Sequence, residues 1–304
     1  MNLDTLRLFI DVANRLSFAA VADEHGISAS SVSRAIAQLE QSLGVRLFQR
    51  TTRTMSLTES GALYAQHVAG IIEALAHAED QARSVSRGPA GTLRLTASVA
   101  FGERVIVPLI GDFKARYPEL KLDLLFTDTA VDLVDAGVDL AVRLGPRPSG
   151  DVVATRLCAT RYRVVASPTY VETAATIRVP EDLAHHPCTV FALPGFRSCW
   201  RFRALHGGGG HDTAVDISAE TTVTSALSLR SIVLGGGGPA LLAGWLIGDD
   251  IAAGRLVDVL PEHQATATDF DTAAWLVYPS RAYLPSKVRV AIDFLKSRVS
   301  VVPG

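Results

Sequence analysis

The stretch SFAAVADEHGISASSVSRAIAQLEQSL, from Ser17 to Leu43, decides how the amino-terminal part of the chain folds. Ser17 is a good helix N-cap, because its hydroxyl can accept a hydrogen bond from an unpaired backbone N–H. Gly26 suits the left-handed conformation that ends many helices, and Ser28 offers a second N-cap two residues later. The pattern therefore predicts two short helices joined by a tight turn.

The second of these helices has one apolar face and one polar face. Its apolar residues recur at steps of four and three, as on a buried helix face: Val32, Ile36, Leu39 and Leu43. The opposite face carries hydroxyls, amides and one guanidinium, which are groups that bind base edges and phosphates in the major groove of DNA. The predicted DNA contacts of this helix are Ser28, Ala29, Ser30, Ser31, Ser33, Arg34 and Gln38. From periodicity alone, a helix pair packed as ordinary core is an open alternative.

A basic segment follows the two helices. Residues 45–57, VRLFQRTTRTMSL, are rich in β-branched and apolar residues, which favours a small hairpin, the wing of a winged helix-turn-helix. Arg46, Arg50 and Arg53 lie in this segment, which contains no acidic residue. We predict that these arginines bind phosphates or the minor groove of DNA. A solvated basic loop is the alternative interpretation.

Length and composition restrict the class of protein. A chain of 304 residues is long enough for two or three domains, and its 48% apolar and 20% charged residues are typical of soluble proteins. The net charge is −2, so attraction to DNA has to come from a local basic cluster. Cys158, Cys188 and Cys199 are too few for a disulfide scaffold and fit a reducing cytoplasm. Because we recognise neither a secretory signal nor an apolar run of membrane-spanning length, we expect a cytoplasmic protein with no membrane partner.

The segment after the basic hairpin predicts one long helix, from residue 58 to about residue 87. Thr58 is its N-cap, and an apolar stripe runs down one side through Leu63, Ile71 and Leu75. About thirty residues make a rod of roughly 45 Å. Such a helix cannot bury its stripe alone, so the stripe predicts a partner helix. The run GPAG at 88–91 ends the helix and marks a domain boundary.

Beyond this boundary, strands alternate with helices. Strands are predicted at 93–97, 121–126, 140–144, 161–167, 189–192, 215–218 and 274–278, with a helix at about 104–117 after the first strand. Alternation of this kind is typical of an α/β domain with a mainly parallel sheet. The number of segments predicts that this arrangement is formed twice.

The chain resembles the LysR-type transcriptional regulators. The segments that carry the resemblance stand in order and without gaps between Leu3 and Gly61: LDTLRLFIDVAN, SFAAVA, SASSVSRAIAQLE and LGVRLFQRTTRTMSLTESG. Weaker matches continue to the C-terminus, among them VDLVDAGVDLAVRLGP and YPSRAYLPSKVRVAIDFL. The family often has glutamine or proline directly after the N-cap, where this chain has Ala29. Alanine at that position can offer a methyl contact to thymine but no hydrogen bond.

The resemblance implies a multidomain α+β architecture. Its expected parts are an N-terminal winged helix-turn-helix at 1–58, a linker (dimerisation) helix at 59–88 and a C-terminal two-lobed α/β domain of the type II periplasmic-binding-protein kind at 89–304. In the last domain, lobe I is expected at about 91–163 and 268–304, and lobe II at about 164–267. The implied function is sequence-specific regulation of transcription, with no cofactor and no enzymatic activity. The implied partners are double-stranded DNA, a small-molecule effector and further copies of the chain in a homodimer or homotetramer, with RNA polymerase as a candidate.

Small hydroxyl side chains and one cation lie where the predicted strands of the C-terminal domain end. In open α/β sheets, ligands bind at the carboxyl ends of strands and against helix N-termini. The residues at these positions, which also correspond to the effector cleft that the resemblance implies, are Thr96, Ser98, Val99, Thr127, Arg143, Phe196, Thr222, Thr224 and Ser225. They predict a small carboxylate or polar metabolite as the effector, bound between the two lobes.

Other motifs carry weaker signals. The run Gly235–Gly238 lacks the Lys-Ser/Thr of a P-loop, and we interpret it as turn geometry. The tetrapeptide HHPC at 185–188 resembles a metal fragment, but no second ligand pair has suitable spacing, so a structural role is expected. An enzyme or a solute-binding protein built on the same α/β lobes is the alternative function, although the sequence has no Gly-x-Ser-x-Gly elbow.

Overall fold

A computed structural model describes residues 2–50, 55–134, 136–206, 212–279 and 284–299 of the chain. Within these ranges, no side-chain description extends to residues 50, 73, 76, 77 and 79–87. The chain divides into two compact units. The first is formed by residues 1–88 and 281–286, and the second by residues 89–280 and 287–304.

The first unit combines helices with a short hairpin. Its elements are α1 (Leu3–Arg15), α2 (Phe18–His25), α3 (Ala29–Leu43), β1 (Phe48–Arg50), β2 (Met55–Leu57) and α4 (Glu59–Arg87). Both predicted caps are present, because Ser17 Oγ accepts from the Ala20 N–H at 3.2 Å and Ser28 Oγ accepts from the Ser31 N–H at 3.2 Å. Gly26 ends α2 with a φ of 64°. The prediction of two helices joined by a tight turn is confirmed.

One apolar core holds this unit together. The apolar face of α3 is buried at Val32, Ile36 and Leu39, as its spacing predicts. The Phe9 ring of α1 lies 5.6 Å from the Phe48 ring of β1 and 5.3 Å from the Tyr64 ring of α4. The same aromatic cluster therefore joins the helix-turn-helix, the hairpin and the start of the long helix.

The long helix α4 has exposed apolar side chains along the part of its stripe whose side chains the structure describes. Thr58 is its N-cap, since Thr58 Oγ1 accepts from the Gly61 N–H at 2.9 Å. Val68 is buried in the core of the unit. In contrast, Leu63 and Ile71 are 59% and 58% exposed. Apolar side chains at this spacing are typical of a helix that packs against another helix.

The second unit is built around two main sheets. Its helices and strands are β3 (Gly91–Ala97), α5 (Val99–Phe101), α6 (Ile110–Arg116), β4 (Leu120–Phe126), β5 (Leu140–Gly145), β6 (Val152–Ala159), β7 (Tyr162–Ala166), α7 (Pro168–Thr173), β8 (Cys188–Phe191), β9 (Cys199–Ala204), β10 (Thr213–Asp216), β11 (Ala219–Val223), α8 (Ala226–Leu234), β12 (Ala240–Ala243), α9 (Gly244–Ala252), β13 (Val257–Asp258), β14 (His263–Thr266), β15 (Ala273–Pro279) and α10 (Ser286–Val299). A π-helical turn (Gly102–Ile106) and a 3-10 turn (Val107–Leu109) connect α5 to α6, and another 3-10 turn spans Pro180–His185.

The two sheets differ in strand direction. In the first, the order is β4-β3-β5-β15-β6, with β3 parallel to β4 and β5, and β15 antiparallel to β5 and β6. In the second, the order is β10-β9-β14-β7-β12, and these neighbours pair antiparallel. A separate parallel pair joins β8 and β11. The prediction of a mainly parallel sheet is therefore wrong for the second sheet, and in the first sheet it holds for two of the four strand pairs. Too few residues separate β9 from β10 for a crossover helix, so the two strands pair antiparallel.

The chain passes between the two sheets at two adjacent points. It leaves the first sheet after β6 and returns before β15. At the crossing, the Thr160 N–H donates to the Thr272 carbonyl at 3.0 Å, and Thr272 Oγ1 donates to the Thr160 carbonyl at 3.0 Å. The two crossing segments thus lie side by side, and the two sheets form separate lobes on either side of them.

Candidate DNA-binding surface and ligand cleft

The polar face of α3 lies on the surface of the first unit. Exposed residues are Ser28, Ala29, Ser30, Arg34 and Gln38, and partly exposed ones are Ser31 and Ser33. Ser28 Oγ lies 2.9 Å from the hydroxyl oxygens of both Ser30 and Ser31. Arg34 Nε donates to the Ser30 carbonyl at 3.3 Å, which directs the arginine along the first turns of the helix. A row of hydroxyls and one guanidinium is the chemistry that major-groove recognition requires.

A partly buried contact joins the end of α3 to the start of the wing. Glu40 is the only acidic residue in the sequence of α3. Its Oε1 accepts from the backbone N–H groups of Leu47 at 2.8 Å and Phe48 at 3.0 Å. These charge-assisted hydrogen bonds fix the hairpin relative to α3 and hold the Glu40 carboxylate against the backbone of β1. The polar face of α3 therefore presents no carboxylate.

The start of α4 also contacts the first residues of the wing, Arg46 and Leu47. Thr58 Oγ1 donates to the Arg46 carbonyl at 2.7 Å. Gly61 lies directly against Leu47, because a Cβ built at Gly61 would come within 2.0 Å of the Leu47 carbonyl oxygen. Only glycine fits this approach without moving the backbone. The position of the wing is thus set jointly by α3 and α4.

Of the three arginines predicted in the wing, the structure describes the side chain of Arg46. Arg46 is exposed, at the base of the hairpin. Arg50 is the last residue of β1, opposite Met55 of β2, and its side chain is not described. Arg53 lies outside the described residues.

A cleft of about 920 Å³ opens in the second unit between its two sheets. The predicted effector residues that line it are Thr96, Ser98, Thr127, Arg143, Phe196, Thr224 and Ser225. They come from both lobes. The first sheet contributes the ends of β3, β4 and β5, and the second lobe contributes the segments after β8 and β11.

Val99 and Thr222 do not line this cleft, and their assignment to it needs correction. The Val99 N–H, which the sequence offers as a donor to a ligand, donates instead to Asp128 Oδ1 at 3.1 Å. Thr222 lies inside β11, opposite Val190 of β8, one position before the end of the strand and two before Thr224, which does line the cleft. Its position is explained by the pairing of β11 with β8.

Several lining residues were not predicted from the sequence, among them Asp128, Thr129, Tyr162, Phe191 and Trp245. The position of Asp128 two residues after the end of β4 is a signal that could have identified it. Trp245 reaches the cleft from α9, and its ring lies 5.1 Å from the Phe101 ring in an edge-to-face arrangement. Its indole N–H is buried and has no hydrogen-bond acceptor among the described residues.

The charged groups that line the cleft, within the part of the chain that the structure describes, are Asp128 and Arg143. Arg143 Nη2 donates to the Val131 carbonyl at 2.8 Å, which holds the guanidinium against the segment that follows β4. Burial raises the pKa of Tyr162 to about 12, so this phenol stays neutral. Most of the remaining wall is aliphatic or aromatic. The cleft therefore suits an amphipathic small molecule.

A buried ion cluster fixes two helices of the cleft wall. Asp250 of α9 is fully buried. Arg230 of α8 donates to both of its carboxylate oxygens, at 2.6 and 2.7 Å, and Arg255 adds two hydrogen bonds at 3.0 and 2.7 Å. Burial alone would raise the pKa of the Asp250 carboxyl, but the two arginines outweigh it and hold the pKa below its ordinary value of 3.8. Next to it, Asp249 pairs with Arg104 of the other lobe at 3.3 Å.

The weaker sequence motifs have structural roles. His186 Nδ1 lies 2.9 Å from the Tyr170 hydroxyl, and burial lowers the pKa of His186. Burial also raises the pKa of the Cys188 thiol to about 12. Gly238 has a φ of 89°, and a Cβ there would lie 2.0 Å from the Pro187 carbonyl oxygen. Among the described residues, no group of three His, Cys, Asp or Glu side chains is placed to hold a metal ion.

Known proteins resemble this chain over both units. The model of the bacterial regulatory helix-turn-helix proteins of the lysR family matches residues 3–62, and that of the LysR substrate binding domain matches residues 86–300. The transcriptional regulator CrgA of Neisseria meningitidis serogroup C (strain 8013) is 34% identical over 294 residues, which cover 97% of this chain and 96% of CrgA. The regulator DmlR of Escherichia coli K12 is 35% identical over 296 residues, 97% of this chain and 93% of DmlR.

Solved structures show the same similarity. The structure of CrgA, a LysR-type transcriptional regulator from Neisseria meningitidis, has a TM-score of 0.61 at 33% identity and covers 98% of each chain. The full-length Vibrio cholerae virulence activator AphB has a TM-score of 0.58 at 25% identity and covers 98% of this chain and 99% of AphB.

The fold and both surfaces define a DNA-binding regulator with a helix-turn-helix and a substrate-binding domain. The chain belongs to the LysR family of transcriptional regulators, which is not a family of enzymes. In the described part of the chain, no helix combines the length and apolar character needed to cross a bilayer.

Proposed function

We propose that the protein binds a specific, dyad-related DNA site as a homo-oligomer and that a small molecule in the cleft modulates this binding. The observation that carries the proposal is the polar face of α3, which is exposed, contains Arg34 and presents no acid. Base edges are read by Ser28, Ala29, Ser30, Ser31, Ser33, Arg34 and Gln38, and phosphates or the minor groove are bound by Arg46, Arg50 and Arg53.

The uncovered stripe of α4 supports assembly with a second copy of the chain. Leu63, Ile71 and Leu75 are exposed along one side of this helix. Pairing of two α4 helices would remove this apolar surface from water. A symmetric pair presents two copies of α3, so the DNA half-sites lie about one helical turn or a multiple of it apart. A tetramer built from two such dimers keeps the same half-site geometry.

The cleft supports binding of a small carboxylate or polar metabolite. Thr96, Ser98, Thr127, Arg143, Phe196, Thr224 and Ser225 offer hydroxyls, one cation and one aromatic face to it. The ligand shifts the arrangement of the two lobes only if it binds one arrangement more tightly than the other. We also propose that the regulator contacts RNA polymerase. We place it in the cytoplasm, because the free thiols of Cys158, Cys188 and Cys199 fit a reducing compartment.

The DNA-binding part is tested with Arg34→Ala and a duplex that contains the promoter region of the protein's own gene. Loss of one arginine contact to a base costs about ten-fold in affinity, so the variant should bind at least that much more weakly in a gel-shift titration. Arg289→Ala, which removes an exposed arginine of α10 in the second unit, is the matched control and should bind as the wild type does. Equal affinity of the Arg34→Ala variant and the wild type would refute the assignment of α3.

The effector part is tested by thermal shift and fluorescence with a set of small carboxylates and polar metabolites. A ligand that binds only the folded state raises the stability by about 2.7 kcal/mol at one hundred times its Kd. Because Trp245 lines the cleft, binding should also change the tryptophan emission, and Trp245→Phe should remove most of that change. A stabilising ligand that leaves the operator affinity unchanged would contradict its role as effector.

A further inference from the structure

Asp128 adds a negative charge to the part of the cleft where the sequence predicted only hydroxyl groups and one cation. It follows β4 by two positions and lines the cleft. Its Oδ1 accepts from the Val99 N–H at 3.1 Å. The Val99 N–H, which could otherwise donate to an anionic ligand, therefore already donates to a carboxylate of the protein.

The neighbouring polar groups of this wall are also engaged within the protein. Ser98 Oγ accepts from the Phe101 N–H at 3.4 Å. Thr96 Oγ1 donates to the Leu125 carbonyl at 2.7 Å, and the Thr127 N–H donates to the Ala97 carbonyl at 2.9 Å. The first-lobe wall therefore offers the carboxylate of Asp128 to the cleft, and an anion placed against it would meet a like charge.

A cation belongs to the same lobe as Asp128, since β4 and β5 lie in one sheet and Arg143 Nη2 donates to the carbonyl of Val131, three residues after Asp128. Arg143 is the cation among the described lining residues. Thr224 and Ser225 stand at the N-terminus of α8, a helix of nine residues. Phe191, Leu193 and Trp245 add apolar surface to the lining. The cleft thus combines one carboxylate and one cation of the first lobe with hydroxyl groups of the second lobe and with apolar surface.

We propose that Asp128 determines the class of effector, which places a hydrogen-bond donor, an amine or a hydroxyl group, against this carboxylate. The effector has an apolar body, and a carboxylate, when it has one, pairs with Arg143. The inference rests on the proposed function of the cleft as the effector site. It narrows that proposal, because it places a donor group of the effector, and not a carboxylate, against Asp128.

The test compares the wild-type full-length protein with Asp128→Asn by calorimetric titration of matched ligands. Two series share one apolar body each: 2-phenylethylamine, 2-phenylethanol and phenylacetate, and tryptamine, tryptophol and indole-3-acetate. Asparagine keeps an acceptor oxygen for the Val99 N–H but removes the charge. Asp216→Asn is the control, because Asp216 is exposed on β10 and does not line the cleft.

The amines should bind the Asp128→Asn variant about ten-fold more weakly than the wild type, since a charged hydrogen bond is lost. The alcohols should weaken less, and the carboxylates should bind as well as before or more tightly. Asp216→Asn should change none of these affinities.

Two results would overturn the inference. If the substitution weakens amines and carboxylates equally, the cleft still binds ligands but Asp128 does not select among them, and the proposed function stands. If no member of either series binds the wild type, Asp128 does not serve these donor groups. A thermal-shift response of the same protein to other small molecules then decides separately whether the cleft is an effector site.

Discussion

The DNA-binding face and the ligand cleft are built in different ways. The face on α3 comes from one continuous segment, in which the caps, the turn and the apolar spacing specify the exposed positions. The cleft is assembled from strand ends that are up to about 170 residues apart in the sequence, from Thr96 to Thr268. Interactions between neighbouring residues therefore position the face on α3, whereas packing between distant parts of the chain positions the cleft. Substitutions in one unit should therefore affect one surface and leave the other unchanged.

The largest effect is expected in the cleft wall, from Asp250→Ala. This change leaves the guanidinium groups of Arg230 and Arg255 without their buried partner; because their side chains are 19% and 52% exposed, the cost is near the lower limit for a broken buried pair, about 3 kcal/mol. All three tryptophans, at 200, 245 and 275, lie in the second unit, so the urea midpoint of their fluorescence reports this unit alone. Asp249→Ala is the matched control, because the side chain of Asp249 is 85% exposed and its pair with Arg104 contributes less than about 1 kcal/mol. Equal midpoints for the two variants would show that the cluster does not hold the wall.

A smaller effect, confined to the first unit, is expected from Gly61→Ala. The added Cβ would press on the Leu47 carbonyl oxygen, and the resulting backbone shift costs about 1–3 kcal/mol. Operator affinity and the helical circular dichroism should fall, while the tryptophan unfolding curve should not move.

The control for this change is Gly111→Ala. Gly111 lies in α6 of the second unit, with nothing within 4 Å of a built Cβ, and alanine favours a helix over glycine. This variant should keep full DNA affinity. A Gly61→Ala protein with wild-type affinity would mean that the wing is not fixed by its contact with α4.

The stability of the second unit should depend on pH, with a smaller effect that is specific for the carboxyl of Asp250. Because the pKa of Asp250 is lower in the folded state than in the unfolded state, the unfolded state takes up the proton first as the pH falls. The contribution of this carboxylate is complete above its ordinary pKa of 3.8 and decreases below it. Between pH 5 and pH 3, at about constant salt, the wild type should lose more stability than Asp250→Asn. Parallel losses in the two proteins would contradict the role of the ion cluster.

The same contrast explains what the sequence alone could predict. Ser17, Gly26 and Ser28 predict the helix-turn-helix because each caps a helix through hydrogen bonds to residues close to it in the sequence. Strand ends such as Thr96 and Thr127 could be found because a parallel sheet brings its carboxyl ends together. Trp245 could not, because nothing in its neighbours indicates that α9 turns this ring toward Phe101 of the other lobe. The strands β9 and β14 were missed as well, and with them the antiparallel pairing of the second sheet.

Contact of α3 with bases is tested most directly by Ala29→Gln, because a change of base preference requires a side chain that touches a base. Ala29 is the exposed first residue of α3. A glutamine there gains an amide that can bind adenine, and such a contact discriminates by about 1–3 kcal/mol. Ala115→Gln, the same change at an exposed position of α6, serves as the control.

The measurement is the selection of preferred sites from randomised duplexes. The account predicts that Ala29→Gln changes the preferred base at one pair of dyad-related positions and keeps the rest of the site, while Ala115→Gln selects the wild-type site. Identical preferences for the wild type and Ala29→Gln would contradict the account, because the polar face of α3 would then lie away from the bases.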